Sequence, residues 1–402
     1  MIFDRLEKYK DEMIKLMSEL IEIPAIPPEF GGKGELKKAE HLMKYLGDFD
    51  FLERFDAADD RAYGGLRPNI VAKIEGTLKK TVWVVAHLDV VPEGDTRLWR
   101  TPPFKAIING DRIYGRGTED KGQAIVSSLF AAKAILESGL TPKYSFGIAF
   151  VSDEECGSNF GIKHLLKQNV FKKDDLFIVS DYSSRKGEAI EIAEKSILWL
   201  KFTVYGDQLH ASAPLGVNAS RRAMKFILDL DEKLHNKFDA EDKIFNPPRS
   251  TFEPTKREKN VENINTIPGI DVSYMDCRIL PIYSLEEVLE YIEDIRRFHE
   301  MRDGKPIEIE VVQKESSPKT LESSEIVQKL KKALKDIRGV DAKLVGIGGN
   351  TCAAVLRRAG YTNTVAWQTG DSTAHMPNEY CLIQNIFEDA KIFTTLPFEP
   401  GY

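Results

Sequence analysis

The sequence predicts an α/β fold in which a mainly parallel sheet flanked by helices is interrupted by an inserted α+β domain of ferredoxin-like order. Three observations predict it. Short β-branched or aromatic runs, several nearly all apolar, recur at 69–74, 81–86, 144–151, 176–180, 344–347 and 364–367, as expected of strands covered on both faces. Helical patterns alternate with them, most clearly Gly122–Ser138, stopped by Gly139, and Glu325–Ile337, stopped by Gly339. Between about Lys195 and Lys314 the order changes to strand, helix, strand, strand, helix, strand.

A length of 402 residues exceeds what one hydrophobic core usually spans, which suits two domains. The chain opens with apolar side chains at helical spacing from Leu6 to Ile23, an amphipathic helix ended by Pro24 and followed by a Pro- and Gly-rich loop. The expected division is a main domain over 1–195, an insert over 196–314 and the rest of the main domain over 315–402. Within the insert, strands are expected at Leu198–Tyr205, Val261–Thr266, Asp271–Leu280 and Ile307–Val312, with helices at Ala219–Phe238 and Leu285–Glu300. The stretch Phe245–Asn260, with Pro247, Pro248 and Pro254, reads as a loop too polar for a core element.

Composition narrows the function classes. Cys156, Cys277, Cys352 and Cys381 are scattered, with no close pairing for a metal or redox motif, so they are expected to be reduced thiols. The N-terminus lacks a signal-peptide pattern and no apolar run is long enough to span a bilayer, so the expectation is a cytoplasmic protein without a membrane partner. A net charge of -7 with interspersed signs offers no basic stripe for phosphates, which argues against nucleic acid. The 30 % of charged residues, rich in Lys and Glu, is compatible with a heat-adapted source.

Several strand ends carry ionisable groups, the place where open α/β sheets bind ligands. The run 81–86 leads into His87-Leu88-Asp89. A glycine-rich turn, Gly115-Arg116-Gly117-Thr118-Glu119-Asp120-Lys121-Gly122, delivers Asp120 to the start of the next helix. The run 144–151 meets Asp153-Glu154-Glu155, the run 176–180 ends in Asp181, and His375 follows the strand at 364–367. Each alone has an ordinary reading as a loop histidine, an N-cap or a solvated turn. Together they offer two imidazoles and several carboxylates on one domain, a donor set suited to zinc, cobalt or manganese. Two such ions about 3.5–4 Å apart would form the clamp used by aminopeptidases. One of the adjacent glutamates would then ligate while its neighbour moves a proton.

These segments, H-x-D, G-R-G-T-E-D-K-G, D-E-E-x-G-S and the late A-H-x-P-N-E, occur in an order that resembles, end to end, the di-zinc metallopeptidase family of aminoacylases, acetylornithine deacetylase, succinyl-diaminopimelate desuccinylase, glutamate carboxypeptidases and several dipeptidases. The resemblance implies a zinc-peptidase-like catalytic domain with an inserted lid or dimerisation domain, two divalent ions, zinc by preference, and a homodimer. It implies that His87 and Asp181 bind one ion, Glu155 and His375 the other, and that Asp120 bridges both. Asp89 would orient His87, and Glu154 would be the general base acting on a metal-bound hydroxide's parent water and later the acid for the leaving amine. His210, in Gly206–Pro214, resembles the lid histidine that reaches the partner subunit's site and would hydrogen-bond the oxyanion. Asn265 and Arg278 match lid positions near the substrate carboxylate, so a small substrate with a free carboxylate is expected; an ion pair with Asp276 is the other reading of Arg278. Gly348 and Gly349 match a substrate loop, although Asn350 stands where threonine is usual. Asp181 stands where many deacylases have glutamate and several dipeptidases aspartate.

The expected activity is therefore hydrolysis of the amide bond of an N-acyl amino acid, with a dipeptidase or carboxypeptidase as the alternative. A non-catalytic dimeric binding protein is disfavoured because Glu154 and all five ligand candidates are present. Nucleotide binding, suggested by Gly346-Ile347-Gly348-Gly349, is disfavoured because the third glycine of the dinucleotide fingerprint is missing.

Overall fold

In the computed structural model, which describes residues 2–398, the chain forms two compact units. The first runs to Ile192 and continues over Thr320–Val345 and from Thr351 onward; the second holds Ala193–Lys319 and Gly346–Asn350. The glycine-rich segment 346–350 packs with the second unit, not with the flanking residues of the first. Its backbone is hydrogen-bonded there: Gly346 N donates to Ile244 O at 2.8 Å and Lys195 N to Ile347 O at 2.9 Å.

The first unit is built on an eight-stranded sheet. Its strands are β1 (Phe51–Ala58), β2 (Leu66–Ile74), β3 (Leu78–His87), β4 (Tyr144–Val151), β5 (Leu176–Ser184), β6 (Ala189–Glu194), β7 (Lys343–Ile347) and β8 (Thr364–Thr369). Their spatial order is β1-β2-β4-β3-β5-β8-β6-β7. The four central strands β4, β3, β5 and β8 are parallel to one another, whereas β2 is antiparallel to both β1 and β4 and β6 is antiparallel to β8, so the sheet is mixed with a parallel centre. All eight residues of β4 are buried, as a strand covered on both faces requires. On one face Val71, Trp83, Ala149 and Phe177 pack against Ile162, Leu165 and Leu356.

Parallel order has a direct consequence for chemistry. The carboxyl ends of β3, β4, β5 and β8 come to one edge, so the segments that follow them meet there. Asp181 departs slightly from expectation: β5 continues past it to Ser184. Ala366 pairs with Val179 but Gln368 with Ser183, so Asp181 lies in a bulge that re-aims its side chain.

The second unit has a four-stranded antiparallel sheet ordered Thr251–Arg257, Ile270–Ile279, Ser196–Tyr205, Ile307–Glu315. Helices Ala219–Lys237 and Leu285–Asp303 cover it through a core that includes Phe202, Phe226, Leu230, Ile292 and Ile295. The expected strand Val261–Thr266 is a correction. That segment is largely exposed, and the second strand is instead Thr251–Arg257, inside the stretch read as a loop. It is an edge strand with only Phe252 buried, and its register shifts between Pro254 and Lys256, where a proline is tolerated. Among the described residues, no helix is long and apolar enough to cross a membrane.

Candidate metal centre

At the common strand edge of the first unit, six expected residues come together. His87 ends β3, Asp120 lies in the turn before helix Gln123–Ser138, Glu154 and Glu155 follow β4, Asp181 sits in β5, and His375 lies beyond β8. His87 Nε2 is 2.9 Å from Asp120 Oδ1 and 3.6 Å from Asp181 Oδ1. His375 Nε2 is 3.1 Å from Asp120 Oδ2 and 3.0 Å from Glu155 Oε1. Donor atoms of His87, Asp120 and Asp181 thus form one trio within 4.8 Å, those of Asp120, Glu155 and His375 a second, and Asp120 belongs to both through its two oxygens. A Glu154 oxygen lies within 4.8 Å of donor atoms on His87 and Glu155.

These trios fit a pair of cations. His87 Nδ1 is 2.9 Å from Asp89 O and 3.5 Å from Asp89 Oδ1, acceptors that suit a hydrogen on Nδ1 and leave Nε2 for a cation shared with the carboxylate oxygen it faces. Two acceptors face each other at hydrogen-bond distance only when a proton or a metal ion lies between them. Asp181 Oδ2 is buried without a hydrogen-bond partner, as a donor atom reserved for an ion would be. The electrostatics agree. Burial and the Asp181 charge push Glu154 well above the usual carboxylate range. Hydrogen bonds from its ring to the Asp120 and Glu155 carboxylates lift His375 to about 10. Burial opposes charge on Asp120, but the Lys121 ammonium and both imidazoles hold it well below the ordinary value.

Asp89 is fully buried and accepts from the backbone N–H groups of Glu154, at 3.1 Å, and Glu155, at 3.0 Å. One carboxylate therefore fixes both the β3 histidine and the β4 glutamates. Asp153, immediately before them, has φ of 63°, the left-handed conformation in which a short polar side chain is tolerated.

Four further residues, which the sequence reading gave no role, hold these side chains in place. The carboxylate of Glu379 accepts from Arg116 Nη1 at 2.7 Å, Gly117 N at 3.1 Å, and Glu119 N and Asp120 N at 3.0 Å. In return, Glu119 accepts from Ser372 N at 2.8 Å, Thr373 N at 2.9 Å and Thr373 Oγ1 at 2.6 Å. The loop that carries Asp120 and the loop that carries His375 are thus cross-braced by one glutamate from each. Lys38, fully buried on helix Leu36–Leu42, donates to Leu88 O between His87 and Asp89. The spacing of Glu379 within A-H-x-P-N-E was a visible signal, but its target is 259 positions away in sequence.

The remaining expected residues lie in the second unit. His210 pairs with Thr266 in a short two-stranded ribbon and its Nε2 is 3.4 Å from the Asn265 amide nitrogen. Arg278 binds Asp276 through Nε at 2.8 Å and Nη2 at 3.0 Å, and donates from Nη1 to Gly348 O at 2.9 Å. The ion pair with Asp276 is therefore formed, and Gly349 follows in the same loop.

A model of peptidase family M20/M25/M40 matches residues 83–398. The chain is 45 % identical to an uncharacterized metallohydrolase of Methanocaldococcus jannaschii, covering 95 % of this chain and 98 % of that protein. It is 27 % identical to a succinyl-diaminopimelate desuccinylase of Buchnera aphidicola over 70 % of this chain and 72 % of the relative. In structure it resembles an aminopeptidase PepT of Bacillus cereus, with a TM-score of 0.77, 19 % identity, and coverage of 96 % and 98 %. The chain belongs to peptidase family M20/M25/M40 and is a hydrolytic metalloenzyme.

Proposed function

We propose that this protein is a dinuclear, zinc-preferring amide hydrolase that releases an amino acid from its N-acyl derivative. The observation that carries the reading is the pair of donor trios sharing the two oxygens of Asp120, with the Glu154 carboxylate beside them. Two bound dications would supply the Lewis-acid field that polarises a scissile carbonyl and acidifies water. His87 and Asp181 would hold one, Glu155 and His375 the other, and Asp120 both.

The chain's own groups supply the proton transfers. Glu154 accepts a proton from the attacking water and returns it to the departing amine nitrogen; the water's second proton then passes from the new carboxyl group to the amine, so the acyl group leaves as a carboxylate and the amine as its protonated form. Asp89 keeps His87 in the tautomer that offers Nε2. In the second unit, read as the lid and dimerisation domain of a homodimer, His210 donates to the tetrahedral oxyanion, with Asn265 beside it. Arg278 binds a substrate carboxylate by exchanging its bond to Gly348, in the loop with Gly349. The setting is cytoplasmic. The desuccinylase relative supports the deacylase reading, while Asp181, the residue type that several dipeptidases carry, favours peptide substrates as the second reading.

Zinc-loaded protein should be offered N-succinyl and N-acetyl amino acids and unblocked dipeptides, with Glu154→Ala as control. Cleavage of blocked substrates alone supports the deacylase, and cleavage of dipeptides alone replaces it with the peptidase. A protein that takes up no metal refutes both.

A further inference from the structure

Lys121 follows Asp120 directly and is buried, a costly place for an ammonium unless it is paired. Its Nζ lies 2.8 Å from Asp120 Oδ1 and 3.1 Å from Asp181 Oδ1. Those are the two oxygens that, with His87 Nε2, make up the first donor trio. The ammonium's ion pairs do not extend to the second trio, where Asp120 presents Oδ2 and Glu155 and His375 face each other.

We infer that Lys121 is a built-in competitor for the His87–Asp120–Asp181 position, its ammonium standing in for a metal ion until one displaces it. The inference rests on the reading that both trios hold cations. A zinc ion bonded to both oxygens at about 2.1 Å would lie less than about 5 Å from an ammonium left where it is. At that separation two like charges repel strongly in a buried site, so the side chain must withdraw or the ion binds weakly. The Asp120–Glu155–His375 position carries no such handicap. It fills first, and its occupation leaves the first trio waiting on the movement of one side chain.

The test is calorimetric titration of the metal-stripped full chain with zinc, with bound metal counted after dialysis. Wild type is expected to bind in two steps, the second at least tenfold weaker. Lys121→Met, which keeps the side-chain length and removes the charge, should tighten the second step at least tenfold and leave the first in place. Lys121→Arg, which keeps the charge, should leave the second step weak. Two equal steps in wild type overturn the inference without needing any variant, and so does a second step that Lys121→Met does not tighten. Either result leaves the two-cation reading intact, whereas no zinc uptake by wild type removes both.

Discussion

Replacing Glu379 by glutamine tests whether the cross-brace, and not the ligands alone, sets the geometry of the centre. The side chain is fully buried, and each of its oxygens accepts from two donors: Glu119 N and Asp120 N on one, Gly117 N and Arg116 Nη1 on the other. An amide has one acceptor oxygen, so in either orientation its NH2 group faces two donors. Leaving a buried donor unsatisfied costs about 1–3 kcal/mol, and removing one partner of a buried ion pair about 3–5 kcal/mol. Because the two costs describe overlapping contacts, they do not add, and Glu379→Gln should destabilise the metal-stripped protein by about 3–5 kcal/mol. Zinc affinity should fall about tenfold to a hundredfold, the usual effect of losing a group that orients ligands. Urea unfolding followed by tryptophan fluorescence measures the first quantity and calorimetric titration the second. A variant within about 1 kcal/mol of wild type that binds zinc equally well would show that the brace positions nothing.

Further expectations concern separate parts of the molecule. Asp120→Ala removes the residue common to both trios and should abolish retention of both zinc ions after dialysis, whereas Asp181→Ala should cost one; equal loss in the two variants would contradict the sharing. His210→Ala should lower kcat about a hundredfold with zinc content unchanged, and unchanged turnover would discard its oxyanion role. Burial raises Asp389 from 3.8 to about 6. The shift favours the folded state when this carboxyl is protonated, so the contribution is fully present below about pH 4 and is lost as pH rises through 6. Asp389→Asn should flatten that segment of the stability profile measured by urea midpoint, and an unaltered profile would mean that the shift is absent.

The residues that meet at the strand edge were legible because each sits at or just beyond an apolar run, and parallel strands bring such ends together. Asp120 and His375 could be placed on the same domain from sequence, but not their bracing, since Glu119 and Glu379 look like ordinary acidic loop residues until the two loops are seen side by side. The strand Ala189–Glu194 was not anticipated for a related reason. It contains two fully buried glutamates, and Glu191 is tolerated there because Arg357, 166 positions later, binds both its oxygens at 2.9 and 2.6 Å. Thr251–Arg257 was hidden by its charges and by Pro254, features that suit an edge strand as well as a loop. The opposite error, at Val261–Thr266, followed apolar residues such as Ile264 that are in fact exposed.

The donor atoms of the proposed metal centre are spread from position 87 to position 375, which gives the centre a history during synthesis. The last residue of the His87, Asp120 and Asp181 trio is synthesised 194 residues (375 minus 181) before His375. At about 5–20 residues per second, that interval lasts roughly 10–40 s. The second donor trio is complete only once the segment that carries β8 and His375 has been made. On the proposed reading, a product truncated before His375 would lack the second position.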